Sequence, residues 1–208
     1  MRCILACRRS SFSVGRRSLD GPHGGISPVP PNDFHSDDAW QRGVRDAILV
    51  PQFYRARVDG RYVLMDKGRL SVFLQRRMAV DTIVQGRDGA AVGIEEKIVR
   101  WPGYTYTAYC LETESCTMPW HESAGWMRYG EADYLLYCFQ QADESLICDL
   151  IEFQRLREWF WPLEATFPEF QMTTRNRTHG RKVPIAQVRA NVPVVRFRLS
   201  AQIVEAAE

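Results

Sequence analysis

The chain has no run approaching the roughly 18 apolar residues that a membrane-spanning helix requires, which argues against an integral helical membrane protein. It has almost no net charge. The 27 Lys and Arg residues against 25 Asp and Glu leave +2, so no global polycation announces a polyanionic partner and any such contact has to be local. Its six cysteines include no Cys-x-x-Cys pair. That removes the usual spacing of structural zinc, and a site built on Cys110, Cys116 and His121 still wants a fourth ligand. The first residues, Met1 to Arg9, lack the apolar stretch of a secretory leader, so a small secreted disulfide scaffold is not expected either. Cys110 and Cys138 lie in apolar, strand-like runs and are expected as buried thiols. The expectation is a soluble, cytoplasmic protein. With 45% hydrophobic and 12% aromatic residues, the 208-residue chain can build one sizeable core.

Residues 1–35 differ from the rest. Arg2, Arg8, Arg9, Arg16 and Arg17 alternate with serines, and glycine- and proline-rich stretches follow. Such a composition cannot bury enough apolar surface to fold and reads as a flexible arm. It also matches a transit peptide, a disordered tail, or a start placed too far upstream. The folded domain is expected over 36–200, with a short tail at 201–208. A helix capped by Ser36 or Asp37 should run through Trp40, Val44, Ile48 and Leu49 and stop at Pro51. A hairpin turning at Asp59-Gly60 should join residues 53–58 to 62–65, with a further strand at 70–74. Strands follow at 104–112 and 134–139, with a short helix within 123–132 between them. Leu146, Leu150, Phe153, Leu156 and Phe160 then stand at helical spacing, with Ile147 and Ile151 widening the stripe, and Pro162 closes that helix. The end reads as strands at 170–174, 183–188 and 194–199. The sum is an α/β fold, a mixed sheet flanked by helices.

The most informative segment lies in the middle. Residues 80–84 and 93–99 both read as strands, joined by a hairpin turn at Gln85-Gly86-Arg87-Asp88-Gly89. Alternate residues of a strand share a face, so Glu95 and Lys97 point the same way, while Glu96 points to the other face and toward solvent. Ile94, Ile98 and Val99 mark the strand as buried. A buried carboxylate beside a buried ammonium is costly unless both are paired or bound to a metal. Asp81 on the neighbouring strand brings a second carboxylate. Two carboxylates suffice to hold Mg²⁺, and such a cation activates water and neutralises developing charge on a phosphodiester. In this reading Asp81, Glu95 and the backbone carbonyl of Glu96 bind Mg²⁺ or Mn²⁺, and Lys97 serves the attacking water.

The arrangement Asp81…Glu95-x-Lys97 resembles the D…(D/E)-x-K core of the PD-(D/E)xK nuclease superfamily, whose fold is that of type II restriction endonucleases. Tyr109-Cys110-Leu111-Glu112-Thr113-Glu114-Ser115, Ser123-Ala124-Gly125-Trp126 and Glu131-Ala132-Asp133-Tyr134 are similar to uncharacterised, often phage-encoded members. Arg181-Lys182-Val183-Pro184-Ile185 is similar to their C-terminal segment. The likeness spans about residues 36–199. It implies a restriction-endonuclease-like mixed sheet and metal-dependent hydrolysis of DNA, and it is compatible with a homodimer. Where the family often carries a glutamate on its first helix, this chain has only Asp37, Asp38 and Asp46. Glu112 is read as an auxiliary site residue, either binding a second metal or fixing Lys97, against an ordinary strand-end acid. Asp133 is read as capping a turn or organising the Trp126 helix rather than touching the metal. Contacts to the polyanion are expected from Arg175, Arg177, Arg181 and Lys182, with His179 beside them, and from Arg76 and Arg77. Trp101, Trp120 and Trp126 read as base-stacking or as core. A catalytically silent nucleic-acid-binding module on the same fold is the alternative, and a structural protein with a core Glu95–Lys97 ion pair is a second.

Overall fold

Apolar and β-branched stretches separated by glycine turns assemble into two sheets. The computed structural model describes residues 34–58, 60–64, 74, 78–100, 106–118, 121–171 and 178–200. The larger sheet contains β1 (Gly60–Leu64), β2 (Thr82–Gly86), β3 (Ala91–Val99), β6 (Tyr134–Gln140), β7 (Leu146–Glu152) and β10 (Val194–Leu199), in the order β1-β2-β3-β6-β7-β10. Only β3 and β6 run parallel; the remaining neighbours are antiparallel. The smaller sheet has the order β5-β4-β9-β8, from β4 (Ala108–Met118), β5 (His121–Ala124), β8 (Glu169–Gln171) and β9 (His179–Pro184). The helices are α1 (Phe34–Val44), a π-helix (Arg45–Arg55), α2 (Trp126–Tyr129), α3 (Phe153–Phe160), a 3₁₀ segment (Trp161–Thr166) and α4 (Ile185–Asn191). Among the described residues no helix is long and apolar enough to cross a membrane.

The larger sheet is covered on both faces. On one, Leu49, Phe53 and Tyr54 of the π-helix pack on Val84, Ile94, Ile98, Leu136 and Leu150. On the other, Tyr109, Leu111 and Val183 of the smaller sheet join Trp126, Phe153 and Phe160 over Leu135, Tyr137 and Ile151. The candidate residues sit on this second face.

The structure corrects several expectations. Residues 146–152 form a strand, not the first half of a helix. β7 is buried on both sides, so nearly every position is apolar and the run satisfies helical and strand periodicity alike. Asp143 fixes the turn before it by accepting bonds from the Ser145 N–H at 3.2 Å and hydroxyl at 2.6 Å. Pro51 lies inside the π-helix instead of ending a helix. The wider turn shifts the hydrogen-bond ladder by one residue and takes up the missing donor. Consequently Phe53 to Arg55 are helical, and the partner of β1 is β2, in register from Gly60↔Gly86 to Leu64↔Thr82. The strand expected at 183–188 ends at Pro184 and turns into α4. Only Trp126–Tyr129 of 123–132 is helical, with β5 before it. Cys138 is buried, whereas Cys110 points outward between the buried Tyr109 and Leu111. Of the strand expected at 70–74 only Leu74 is described, and it is helical.

A candidate metal-binding site between the sheets

The β2–β3 hairpin places the central residues. Gly86 N–H donates to Ala90 O at 2.8 Å and Gly89 takes φ 81°, a value glycine adopts without strain, so the strands return in register with Thr82 opposite Ile94. Asp81 stands where this ladder ends. Its N–H donates to Ile94 O at 2.9 Å, and its carboxylate Oδ2 accepts the Glu96 N–H at 2.9 Å. The side chain therefore occupies the place that the next β2 residue's backbone would fill. N–H and C=O of one strand residue leave on the same side, so the Glu96 carbonyl borders the Asp81 carboxylate too.

Glu95 and Lys97 project onto the face toward the smaller sheet, with Lys97 Nζ 2.6 Å from Glu95 Oε1. The Asp81 carboxylate acts on Glu95 from the neighbouring strand and raises its carboxyl. Lys97 also lies over the Trp126 ring, 5.2 Å from its centroid. Trp126 is placed there by Gly125, whose N–H donates to Thr113 O at 2.9 Å. A Cβ on Gly125 would fall 2.5 Å from Glu112 O, so the loop reaches β4 only because it carries glycine. Trp126 is buried against Phe153 and so serves the core and the lysine, not base stacking.

The electrostatics follow from two carboxylates sharing a partly buried site with one ammonium. Glu95 is 4% exposed, and burial, then the Asp81 charge, push its carboxyl up to about 8 against the opposing pull of Lys97. Burial works against the Lys97 charge, but Glu95, Asp81 and Glu112 together more than restore it, so Lys97 stays an ammonium. Glu112 thus acts on the site by charge; its own carboxylate accepts the Ser115 hydroxyl. Tyr129, half-buried on α2, has its hydroxyl raised by burial and then by Glu95, with Asp81 and Glu112 also acting on it. Nothing in the sequence separated Tyr129 from the other aromatics; only the folded α2 brings it to these charges.

No family model matches the chain, and no curated protein or solved structure gives a significant match.

The other face of β3 holds a second polar group that the sequence reading placed in solvent. Glu96 points away from Glu95 as expected, but it is 8% exposed and accepts hydrogen bonds from the hydroxyls of Thr82, at 2.6 Å, and Tyr54. Burial and the Asp81 charge raise its carboxyl to about 7, opposed by those two hydroxyls and by Arg45. Asp133 ties β6 to β3 through Gly93, its Oδ2 accepting the Gly93 N–H at 2.8 Å.

The basic residues fare differently. Arg181 lies in β9, with its Nε 3.3 Å from Glu164 and its Nη1 3.6 Å from Glu169, and His179 Nδ1 lies 2.7 Å from Glu169. Lys182 is exposed on the same strand. Arg76, Arg77, Arg175, Arg177, Trp101 and Trp120 lie outside the described residues, as do the side chains of Asp37 and Asp38.

Among the described residues no group of three or more His, Cys, Asp or Glu side chains is arranged to hold a metal. Magnesium does not demand one. It keeps several waters and binds through one or two carboxylates together with substrate phosphate. Asp81, Glu95 and the Glu96 carbonyl are hard oxygen donors in a site with surplus negative charge, and that donor set fits Mg²⁺ or Mn²⁺.

Proposed function

We propose that this protein is a Mg²⁺-dependent nuclease hydrolysing phosphodiester bonds of DNA on a restriction-endonuclease-like fold. The observation that carries the reading is the meeting of Asp81, Glu95 and Lys97 on one face, at the point where the β2–β3 ladder ends. A mixed sheet with a helix on one face is in keeping with the same resemblance. A bound cation would supply Lewis acidity to the scissile phosphate and a more acidic water. Asp81 and Glu95 would hold it, with the Glu96 carbonyl beside them. Lys97 contributes a fixed positive charge next to Glu95, suited to orienting the attacking water and to stabilising charge on the phosphate. Trp126 holds that ammonium in place from below, and Glu112 adds to the field that keeps it charged. The exposed Arg128 of α2 offers a cation for the DNA backbone beside Tyr129, whereas Lys182, opposite Cys110, lies on the outward face of the smaller sheet.

The test is cleavage of duplex, single-stranded and branched DNA with Mg²⁺ or Mn²⁺, with and without chelator. Cleavage that chelation stops and Glu95→Ala abolishes is the expected result; wild-type rates in Glu95→Ala would refute the assignment. The 2.6 Å Lys97–Glu95 pair, in which each group has a partner without any cation, favours a second reading: a catalytically silent binding module on the same fold. An inert wild type with no metal-induced shift in melting would select it.

A further inference from the structure

On the face opposite the candidate site, three side chains close a bridge under the metal-binding residues. The Glu96 carboxylate receives the Thr82 hydroxyl at 2.6 Å and the Tyr54 hydroxyl from the π-helix. Thr82 directly follows Asp81, and Glu96 directly follows Glu95. The backbone ladder between the strands stops at Thr82↔Ile94, so at the height of Asp81 no further ladder pair holds β2 to β3. Beyond it the strands are held by one backbone bond, Asp81 N–H to Ile94 O at 2.9 Å, by the Asp81 carboxylate on the Glu96 N–H, 2.9 Å on the site side, and by the Thr82–Glu96 bond on the other.

We infer that Tyr54, Thr82 and Glu96 form a buried clamp that sets the spacing of Asp81 and Glu95, making them positioning residues for the cation. The inference rests on the metal reading proposed above. The peptide of Glu96 is the shared part: its N–H aims Asp81, its carbonyl faces the cation position, and its side chain is anchored below. Releasing the anchor lets that peptide rotate, so both carboxylates lose their alignment. The clamp also gives the π-helix a role, since the turn that takes up Pro51 is the one that carries Tyr54 to Glu96. All three side chains are buried on the opposite face and none reaches the cation position, so any effect of changing them on metal affinity has to pass through the backbone.

The experiment is calorimetric titration of the full chain with Mg²⁺ alone, beside thermal melts of each variant. Tyr54→Phe and Thr82→Val each delete one hydroxyl at nearly constant volume, and each should weaken Mg²⁺ binding by about tenfold, the low end for residues that orient metal ligands. Thr82→Ser keeps the hydroxyl and should bind within about twofold of wild type, on the same basis. Val92→Ala, a buried β3 change away from the clamp, should lower the melting temperature and leave Mg²⁺ affinity unchanged. Wild-type affinity in both Tyr54→Phe and Thr82→Val would overturn the clamp while leaving the metal site standing. An equal loss of affinity in Val92→Ala would also overturn it, since general softening would then account for the effect. A wild type that takes up no Mg²⁺ would remove the metal reading and the clamp with it.

Discussion

Glu95→Gln should make the metal-free protein more stable at alkaline pH, although it removes a residue at the centre of the candidate site. The carboxyl of Glu95 is raised from about 4.5 in the unfolded chain to about 8 in the fold, chiefly by burial and then by Asp81. Between those values the folded state binds more protons than the unfolded state, so stability falls as pH rises and the loss is complete above about 8. The gap corresponds to at most about 5 kcal/mol. Lys97, its partner at 2.6 Å, is one-third exposed, so the site is open to water and the realised cost is nearer 2 kcal/mol. Glutamine keeps the shape and an oxygen for Lys97 but carries no charge. The Glu96 carboxyl, raised to about 7, contributes a slope of the same sign to both proteins, so their difference isolates Glu95. Urea unfolding in chelator, followed by tryptophan fluorescence, should show near-equal stability at pH 5 and an advantage of about 2 kcal/mol for Glu95→Gln at pH 8.5. Mg²⁺ at pH 8.5 should then stabilise the wild type and not the variant. A variant that is no more stable than wild type at pH 8.5, or a difference that does not change between the two pH values, would refute the account of Glu95.

Lys97→Ala should abolish cleavage while Mg²⁺ binding, measured by calorimetry, is retained or tightened, because the ammonium at 2.6 Å competes with a cation for Glu95. Arg196→Ala should cost about 3–5 kcal/mol in denaturant unfolding, since it leaves the fully buried Asp149 without its two-point partner at 2.7 and 2.5 Å. Arg196→Lys should recover only part of that loss, an ammonium being unable to grip both oxygens. Gly125→Ala should lower stability by about 1–3 kcal/mol and reduce cleavage, because its Cβ would meet Glu112 O at 2.5 Å and push Trp126 away from Lys97. An unchanged melting temperature in Gly125→Ala would show that the loop has more room than its contacts indicate.

The parts legible in the sequence are those decided by neighbours close along the chain. The β2–β3 hairpin has its turn glycines, its alternation and all three candidate charges within residues 81–97, so its faces could be assigned by counting. β7 could not be separated from a helix, because a strand buried on both faces loses the period-two signal that identifies it. The π-helix hides behind Pro51, which in an ordinary helix would be a stop. The environment of Glu96 depends on Tyr54, 42 residues earlier and on a different element. Arg181 looked like a phosphate contact because its partners, Glu164 and Glu169, stand 17 and 12 residues upstream. Charge that is neutralised across the fold looks like free charge in a sequence.

Glu95 differs from Asp149, another buried acid on the same face of the larger sheet. Residues opposite one another on adjacent strands share a face, so Lys97, Tyr137, Asp149 and Arg196 form one row across β3, β6, β7 and β10. Asp149 is as buried as a residue can be, yet Arg196 binds both its oxygens and Tyr109 donates to it at 2.6 Å. Its charge is matched one to one, and the cluster needs nothing further to be stable. At the other end of the row, Asp81 and Glu95 face a single ammonium. Were both carboxylates ionised, the site would carry one negative charge more than Lys97 can balance; a raised Glu95 is how the protein meets that excess with a proton. A divalent cation would meet it better, by releasing that proton and taking oxygens from both carboxylates. Mg²⁺ binding near pH 7 should therefore expel protons, seen as a dependence of the calorimetric heat on the ionisation enthalpy of the buffer. Binding heats that are the same in all buffers would mean that Glu95 is already ionised and that the excess charge does not exist.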